Sequence, residues 1–323
     1  AIELGTKTIT AVTVDKVNGR GPEIVRSATA ELLQIDAATL RAAFEKAGIV
    51  PAQKVVLVIP RGQAVLRELE LPDSTPEELV AMVRFQVEKE MPLPLDQVRY
   101  SFVETGRVGG KVRIQVAAVP RDVIDPAVAA VEAAGVKVAG AYVSSFGLMS
   151  LCPRGVRAAL IEVGGGEVEI LVAEDGRMEY SRTATLEEGA SPDLLATEIH
   201  RSLLAYAAKA PGNEIRRIVV AGEGPEATAL AEAVRGRMAH EVTQAGPGDL
   251  ETAPIAALGS SLLLGARIPD LLHPPEASRK FQVTRAHRIG GLAALIFVML
   301  AIWSQVALSD RRADLARKRA ELE

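Results

Sequence analysis

The sequence predicts a duplicated, two-lobed α/β domain carrying a small inserted α/β subdomain, then one membrane-crossing helix and the start of a coiled-coil-like helix. Three observations predict it. First, Ile161-Glu-Val-Gly-Gly-Gly-Glu-Val-Glu-Ile-Leu171 repeats Ile2-Glu-Leu-Gly-Thr-Lys-Thr-Ile-Thr-Ala-Val12 at an offset of 159, with Ile, Glu, an aliphatic residue and Gly leading each copy. Two copies of one hairpin, each opening its own α/β half, imply two lobes with a cleft between them. Second, strand-like and helix-like stretches alternate after each copy. Third, a stretch opening at Ile289 and closing at Leu308 carries no charge and only Ser304 and Gln305 as polar side chains.

Taken in order, residues 1–14 read as two strands joined by the tight turn Gly5-Thr6-Lys7-Thr8. Residues 23–33 read as another strand. Residues 37–47 form a helix with Leu40, Ala43, Phe44 and Ala47 on one face, closing at Gly48. The run Val55-Val-Leu-Val-Ile59 has no alternation, as expected of a strand covered on both faces. After a strand at 66–71, Thr75 stands as helix cap, with Pro76 at the first helical position and Glu78 completing a capping box. That helix, 77–91, begins acidic and ends at Pro92-Leu-Pro94. Residues 98–104 and 111–119 form a hairpin about Gly109-Gly110, followed by a helix at 124–134 and a strand at 136–143. The insert is placed at about 75–140. Beyond the second hairpin come a helix at 193–208, a buried strand at 218–222 ending in a Gly-rich turn, a helix at 225–237 and an apolar helix at 254–264.

The segment 269–288, with Pro274-Pro275, reads as a basic linker. Residues 289–308 are twenty in number, and at about 1.5 Å per residue they cover about 30 Å, the thickness of a hydrocarbon core. A helix also satisfies its own backbone polar groups where no water can. Beyond it Leu308, Leu315 and Leu322 recur at seven-residue spacing among Ala, Arg and Glu, the beginning of a coiled-coil-like helix that is expected to continue past residue 323. Basic residues flank the span on both sides and leave its orientation open. No basic region followed by an apolar one opens the chain, so the large N-terminal part, residues 1–268, is expected in the cytoplasm, with 309–323 on the periplasmic side.

The net charge is -4, with +4 of it in residues 276–323, which leaves -8 for the first 275. An acidic body of this kind does not fit a nucleic-acid binder. The single cysteine, Cys152, can form no intramolecular disulfide. His200, His240, His273 and His287 share no ligand spacing, and no metal site is expected from them.

A Gly-rich hairpin presents backbone N–H groups that can close on a phosphate, and two such hairpins facing each other can clasp a nucleotide. The pieces here are Gly5, Thr6, Lys7 and Thr8, then Gly164, Gly165 and Gly166, with Gly222 and Gly224 beside the base and ribose. The repeat and this order of glycines resemble the actin, heat-shock chaperone and sugar-kinase superfamily, whose lobes are ribonuclease H-like. The resemblance spans residues 1–268. It implies an aspartate on the first strand of each hairpin, holding hydrated Mg²⁺ or positioning water. This sequence has Glu3 and Glu162 in those places, each one methylene longer, which displaces the carboxylate by about 1 Å. Glu167 stands where a hydroxyl faces the phosphate in that superfamily, and an anion there repels it. ATP with Mg²⁺ is therefore not expected to be turned over, and no catalytic residue is assigned.

A closer resemblance rests on Leu69-Glu-Leu-Pro72, Pro76-Glu-Glu-Leu79, Phe85-Gln-Val-Glu-Lys-Glu-Met-Pro-Leu-Pro94, Val116-Ala-Ala-Val119 and Ala257-Leu-Gly259. Together these look like the PilM family of type IV pilus assembly. The continuation into residues 289–308 is similar instead to the GspL family of type II secretion, which joins an actin-like cytoplasmic domain to one membrane helix. The resemblance implies a single-pass protein of the bacterial inner membrane that docks a secretion or pilus motor ATPase. It also implies a GspM-like or PilO/PilN-like membrane partner, and it leaves a homodimer open. The acidic helix 77–91 is the candidate contact. Two competing readings are an active ATPase of the superfamily and a cell-division protein resembling FtsA. The latter attaches through an amphipathic helix, against which the uncharged 289–308 stretch argues.

Overall fold

The computed structural model describes residues 1–275 apart from 6–7, 18–20, 32–35, 47, 50–53, 92, 165–166, 186–188 and 250–251. The expected membrane helix, the helix after it and most of the basic linker lie outside the described residues. Among the described residues no helix is long and apolar enough to cross a membrane.

β1 (Ile2–Leu4) and β2 (Thr8–Val17) form the first expected hairpin, and β3 (Gly21–Glu31) pairs along its outer edge. Helix α1 (Ala37–Lys46) buries Leu40, Ala43 and Phe44, three residues of the face expected from their spacing. β4 (Lys54–Ile59) lies parallel to β1. The chain then leaves the lobe to build the insert: β5 (Val65–Pro72), α2 (Pro76–Glu90), β6 (Val98–Val108) and β7 (Lys111–Pro120), with sheet order β5-β7-β6. The capping box of α2 forms as its sequence dictates, the Glu78 N–H donating to Thr75 Oγ1 at 3.3 Å and the Thr75 N–H donating to Glu78 Oε2 at 3.0 Å. Gly109 and Gly110 turn β6 into β7 with φ of +60° and +75°, values that a residue with a Cβ resists.

The insert has its own core of Leu71, Leu79, Val83, Val87, Phe102 and Ile114 among others. Its bounds are therefore Val65 and Pro120, whereas the sequence placed it at about 75–140. Helix α3 (Arg121–Ala133) and strand β8 (Lys137–Val143), expected inside it, belong to the first lobe. β8 pairs in parallel with β4, and α3 is the crossover between them, with Ile124, Ala127 and Val131 in the lobe's core.

Helix α4 (Ser144–Ser150) carries the chain into the second lobe, where β9 (Ala158–Gly164) and β10 (Glu167–Glu174) form the repeated hairpin and β11 (Arg177–Thr185) flanks it. Helix α5 (Pro192–Lys209), β12 (Arg217–Ala221), α6 (Pro225–Arg237), β13 (Glu241–Ala245) and α7 (Ala253–Leu263) follow. The two five-stranded sheets run β3-β2-β1-β4-β8 and β11-β10-β9-β12-β13, the same order built twice. Register repeats as well: Ile2 faces Ala11 and Ile161 faces Ile170, each pair displaced by the 159-residue offset.

The second sheet is covered on both faces. Ala159, Ile161, Ile170 and Val172 pack under α5 and α6, while Ala158, Leu160, Leu171 and Ala173 enter the core shared with the first lobe. Apolar residues on both faces explain the near-continuous hydrophobic runs. α7 returns to the first lobe's core and lies against α4 so closely that a Cβ on Gly147 would sit 2.1 Å from the Pro254 carbonyl oxygen. Gly147→Ala is expected to push the two helices apart and to destabilise the domain by about 1–3 kcal/mol. The check is a urea unfolding curve with a lowered midpoint and an unchanged slope. An unaltered midpoint would show that this close contact contributes nothing.

Candidate functional site

Because β1 and β4 run parallel, as do β9 and β12, the carboxyl ends of both sheets open on one cavity of about 270 Å³ between the lobes. Such ends are where α/β sheets present loops rather than strand edges. The first lobe contributes Glu3, Gly5 and the turn after β4, Pro60 to Gln63, while the second contributes Glu162, Gly164, Glu167 and Glu169. Among the described residues four carboxyls thus meet one guanidinium, that of Arg61.

The second hairpin sets the chemistry. Its register places Glu162 directly opposite Glu169, and side chains so paired have Cβ atoms about 4.5–5.5 Å apart. The two residues are only 8% and 3% exposed. Like charges this close and this dry cannot both ionise at neutral pH. Burial, then the neighbouring Glu169 and Glu3, holds the Glu162 carboxyl well above the ordinary range. Burial raises Glu169 to about 7, opposed by the Ser145 hydroxyl, the Arg61 charge and the Ser181 hydroxyl.

Glu169 is also the knot between the lobes. Its Oε1 accepts from Ser145 Oγ at 2.6 Å and from Ser181 Oγ at 3.3 Å. Arg61 donates from Nε to Ser181 Oγ at 2.7 Å and from Nη1 to the Ala64 carbonyl at 2.6 Å, and its Nε stands 3.9 Å from Glu169 Oε1. The neighbouring Gly62 comes so near β10 that a Cβ there would lie 2.3 Å from Glu167 Oε2. One oxygen on each acid, Glu162 Oε2 and Glu169 Oε2, is buried with no hydrogen-bond partner among the described residues.

Of the residues singled out in sequence, Glu3, Gly5, Glu162 and Gly164 meet at this cavity. Thr8, Gly222 and Gly224 are not among its lining, and Thr6, Lys7, Gly165 and Gly166 lie outside the described residues. The N–H groups of Gly5, Gly222 and Glu223 donate to the carbonyls of Thr8, Ala245 and Gly248 at 2.8, 2.8 and 2.6 Å, and so are not free for a phosphate. Glu167 and the acid pair also line this cavity, and an ionised carboxylate there repels a phosphate. Sequence reasoning missed Arg61, Ser145, Glu169 and Ser181. Glu169 was within reach, because a hairpin turning at residues 164–167 pairs positions 162 and 169. The others come from elements whose approach to the cleft is set only by tertiary packing.

Comparison with known proteins now bears on this geometry. The family described as type IV pilus assembly protein PilM matches residues 22–188. A solved PilM-PilN type IV pilus biogenesis complex is similar in structure, with a TM-score of 0.62 and 16% identity over 82% of this chain and 98% of that one. The cytoplasmic domain of EpsL, an inner-membrane component of the type II secretion system of Vibrio cholerae, is similar with a TM-score of 0.55 and 15% identity over 84% and 96%. No curated protein matches the chain by sequence. At these identities the structural likenesses establish the fold, the duplicated actin-like domain expected from the repeat.

The acid pair makes stability depend on pH. A carboxyl whose folded pKa is raised keeps its proton in the native state after the unfolded chain has released it. Its stabilisation is therefore complete below the unfolded value of 4.5 and is lost as pH rises through the folded value, about 7 for Glu169, with Glu162 raised in the same direction. The unfolding temperature is expected to fall between pH 5 and pH 8. Glu169→Gln, which keeps a neutral side chain able to accept from Ser145, is expected to flatten that slope and to raise stability at pH 8. A slope identical in wild type and variant, read by calorimetry, would refute the assignment.

Proposed function

The chain belongs to the family of the type IV pilus assembly protein PilM, and from that membership we propose that it works as an assembly-platform protein of a pilus or type II secretion machine, acting by binding its neighbours. Its actin-like domain docks the motor ATPase, and its second partner is a PilN-like or GspM-like membrane protein. Residues 289–308 anchor it in the bacterial inner membrane with the large domain on the cytoplasmic side. Membership in the family supports the platform role. The PilN present in one similar structure and the inner-membrane setting of the other support the choice of partners and location.

The observation that carries binding over hydrolysis is Glu162 facing Glu169 at the base of the cleft. A phosphoryl-transfer site spends its geometry on cations and backbone donors aimed at a highly charged anion. Here the corresponding space is lined by carboxyls, and Gly62 of the first lobe already rests against Glu167 of the second. What remains useful is a jointed pair of lobes bearing an insert with an exposed, acid-capped helix, α2, on which Phe85 stands 63% exposed. An exposed aromatic beside charged neighbours suits a protein contact.

Full-length protein extracted in mild detergent is expected to give no binding heat with Mg-ATP at millimolar concentration and no phosphate release above buffer. Turnover at roughly 1 s⁻¹ or faster, within the ordinary range for enzymes, would overturn the binding-only reading. Fractionation of cells without detergent tests the anchor: recovery of the intact chain in the soluble fraction would remove the membrane assignment.

A further inference from the structure

We propose that residues 268–272 form a releasable strap, locked onto the edge of the first sheet through Asp270, which sets how far the domain can stand from the membrane. The reach rests on the reading above that residues 289–308 are the anchor. The strap itself does not.

Burial marks the strap off from the chain on either side of it. Helix α7 closes with the Ala266 N–H donating to the Ser261 carbonyl at 2.9 Å, and residues 263–267 are exposed. Residues 273–275 are exposed again. Between these stretches Leu271 is 1% exposed and lies in the core of the first lobe, with Ile268 and Leu272 packed against the same core.

One carboxylate holds the strap in place. β8 is the end strand of the first sheet, and an end strand leaves a row of backbone groups for other partners. The strap takes both groups of Ala141: its N–H donates to Asp270 Oδ1 at 3.1 Å, and its carbonyl accepts from the Leu271 N–H at 2.8 Å. Asp270 Oδ1 also accepts from the Leu272 N–H at 2.9 Å, while Oδ2 accepts from the Tyr142 hydroxyl at 3.1 Å and stands 2.9 Å from His273 Nδ1. β8 has room for this carboxylate and little else, since a Cβ on Gly140 would lie 2.8 Å from Asp270 Oδ2. An ionised acceptor with several donors makes strong bonds, but here they converge on a single side chain.

A unit this small, with exposed chain on both sides, opens without unfolding the domain around it. Its place in the sequence gives the opening a consequence. Residues 274–288 number fifteen, and fifteen residues span at most about 50 Å. With the strap released the tether begins at residue 266, and its twenty-three residues span at most about 80 Å. A pull arriving from residue 289 meets Asp270 before it meets any helix or strand of the domain.

The test is hydrogen exchange, read by mass spectrometry, on the full-length protein in nanodiscs. Peptides over 266–275 and over β8 are expected to exchange together, more slowly than unstructured peptide and faster than β9 and β10. Asp270→Ala is expected to speed both at least about tenfold, the equivalent of one hydrogen bond to a charged group, and to leave β9 and β10 unchanged. Gly140→Ala, which crowds the carboxylate from the receiving side, is expected to act in the same direction. A dye on Val108→Cys, in a Cys152→Ser background, is expected to lose energy transfer to acceptor lipids when Asp270 is replaced by Ala. Strap amides that exchange like unstructured peptide in the wild type, or no faster than β9, would overturn the proposal, as would energy transfer indifferent to Asp270→Ala. A chain that does not enter nanodiscs would defeat the anchor and the reach together, whereas the exchange rates, repeated without lipid, would still decide the strap.

Discussion

Everything in the described domain follows from one pairing constraint, the register of an antiparallel hairpin built twice. In the first copy Ile2, Glu3 and Leu4 face Ala11, Thr10 and Ile9, and in the second Ile161, Glu162 and Val163 face Ile170, Glu169 and Val168. Side chains alternate across a strand, so a slip of one residue in the second copy would exchange the residues packed under α5 and α6 with those on the cleft side and break the pairing of Glu162 with Glu169. β4 and β12 add in parallel on the free edge of each hairpin, which requires crossover connections and gives both sheets the same order. The cleft is then a consequence: two sheets of like topology, joined through α4 and α7, bring their carboxyl ends to one place.

The same constraint explains why the cleft is acidic at its base. Position 162 is buried because the hairpin demands it, and position 169 faces it because the register demands it. Nothing in the backbone compels position 169 to be Glu, since the equivalent position in the first lobe is Thr10, whose hydroxyl meets that of Thr29 at 3.4 Å. The second lobe therefore carries a pair of carboxyls where the first pairs Glu3 with Thr10. The surroundings are arranged around one of them: two serine hydroxyls and a guanidinium from three separate elements converge on Glu169 Oε1. Such a network rigidifies what it satisfies and leaves exposed to consequence what it does not, here the two Oε2 atoms.

Much of this was legible in the residues. The repeat at offset 159 gave the duplication, and Thr75, Pro76 and Glu78 gave the start of α2 to the residue, because a capping box is a purely local device. The 225–237 helix was readable for the same reason, with Pro at its first position. Elements that went unread lack a local signature. β11 mixes Arg, Glu, Ser and Thr and is a strand because β10 offers it an edge. α4 is seven residues with Gly147 at its centre, a poor helix by propensity that is held by α7. β13 is short and half-exposed, and it exists by pairing with β12. The limits of the insert were misjudged because α3 reads as one more helix in a run of small elements. Only the parallel pairing of β8 with β4 shows that it is the crossover of the first lobe.

The lobes are held to one another by contacts of their own: Arg61 and Gly62, from a turn of the first lobe, reach Ser181 and Glu167 of the second, and Arg177 on β11 pairs with Glu68 of the insert at 2.8 Å. The last of these is partly exposed and contributes little alone, but it ties the insert to the second lobe as Arg61 ties the first. A domain latched at two points presents one surface to its neighbours, which is what a platform requires of it. Burial ties the charge of Glu169, and with it the contact to Arg61, to pH in the neutral range.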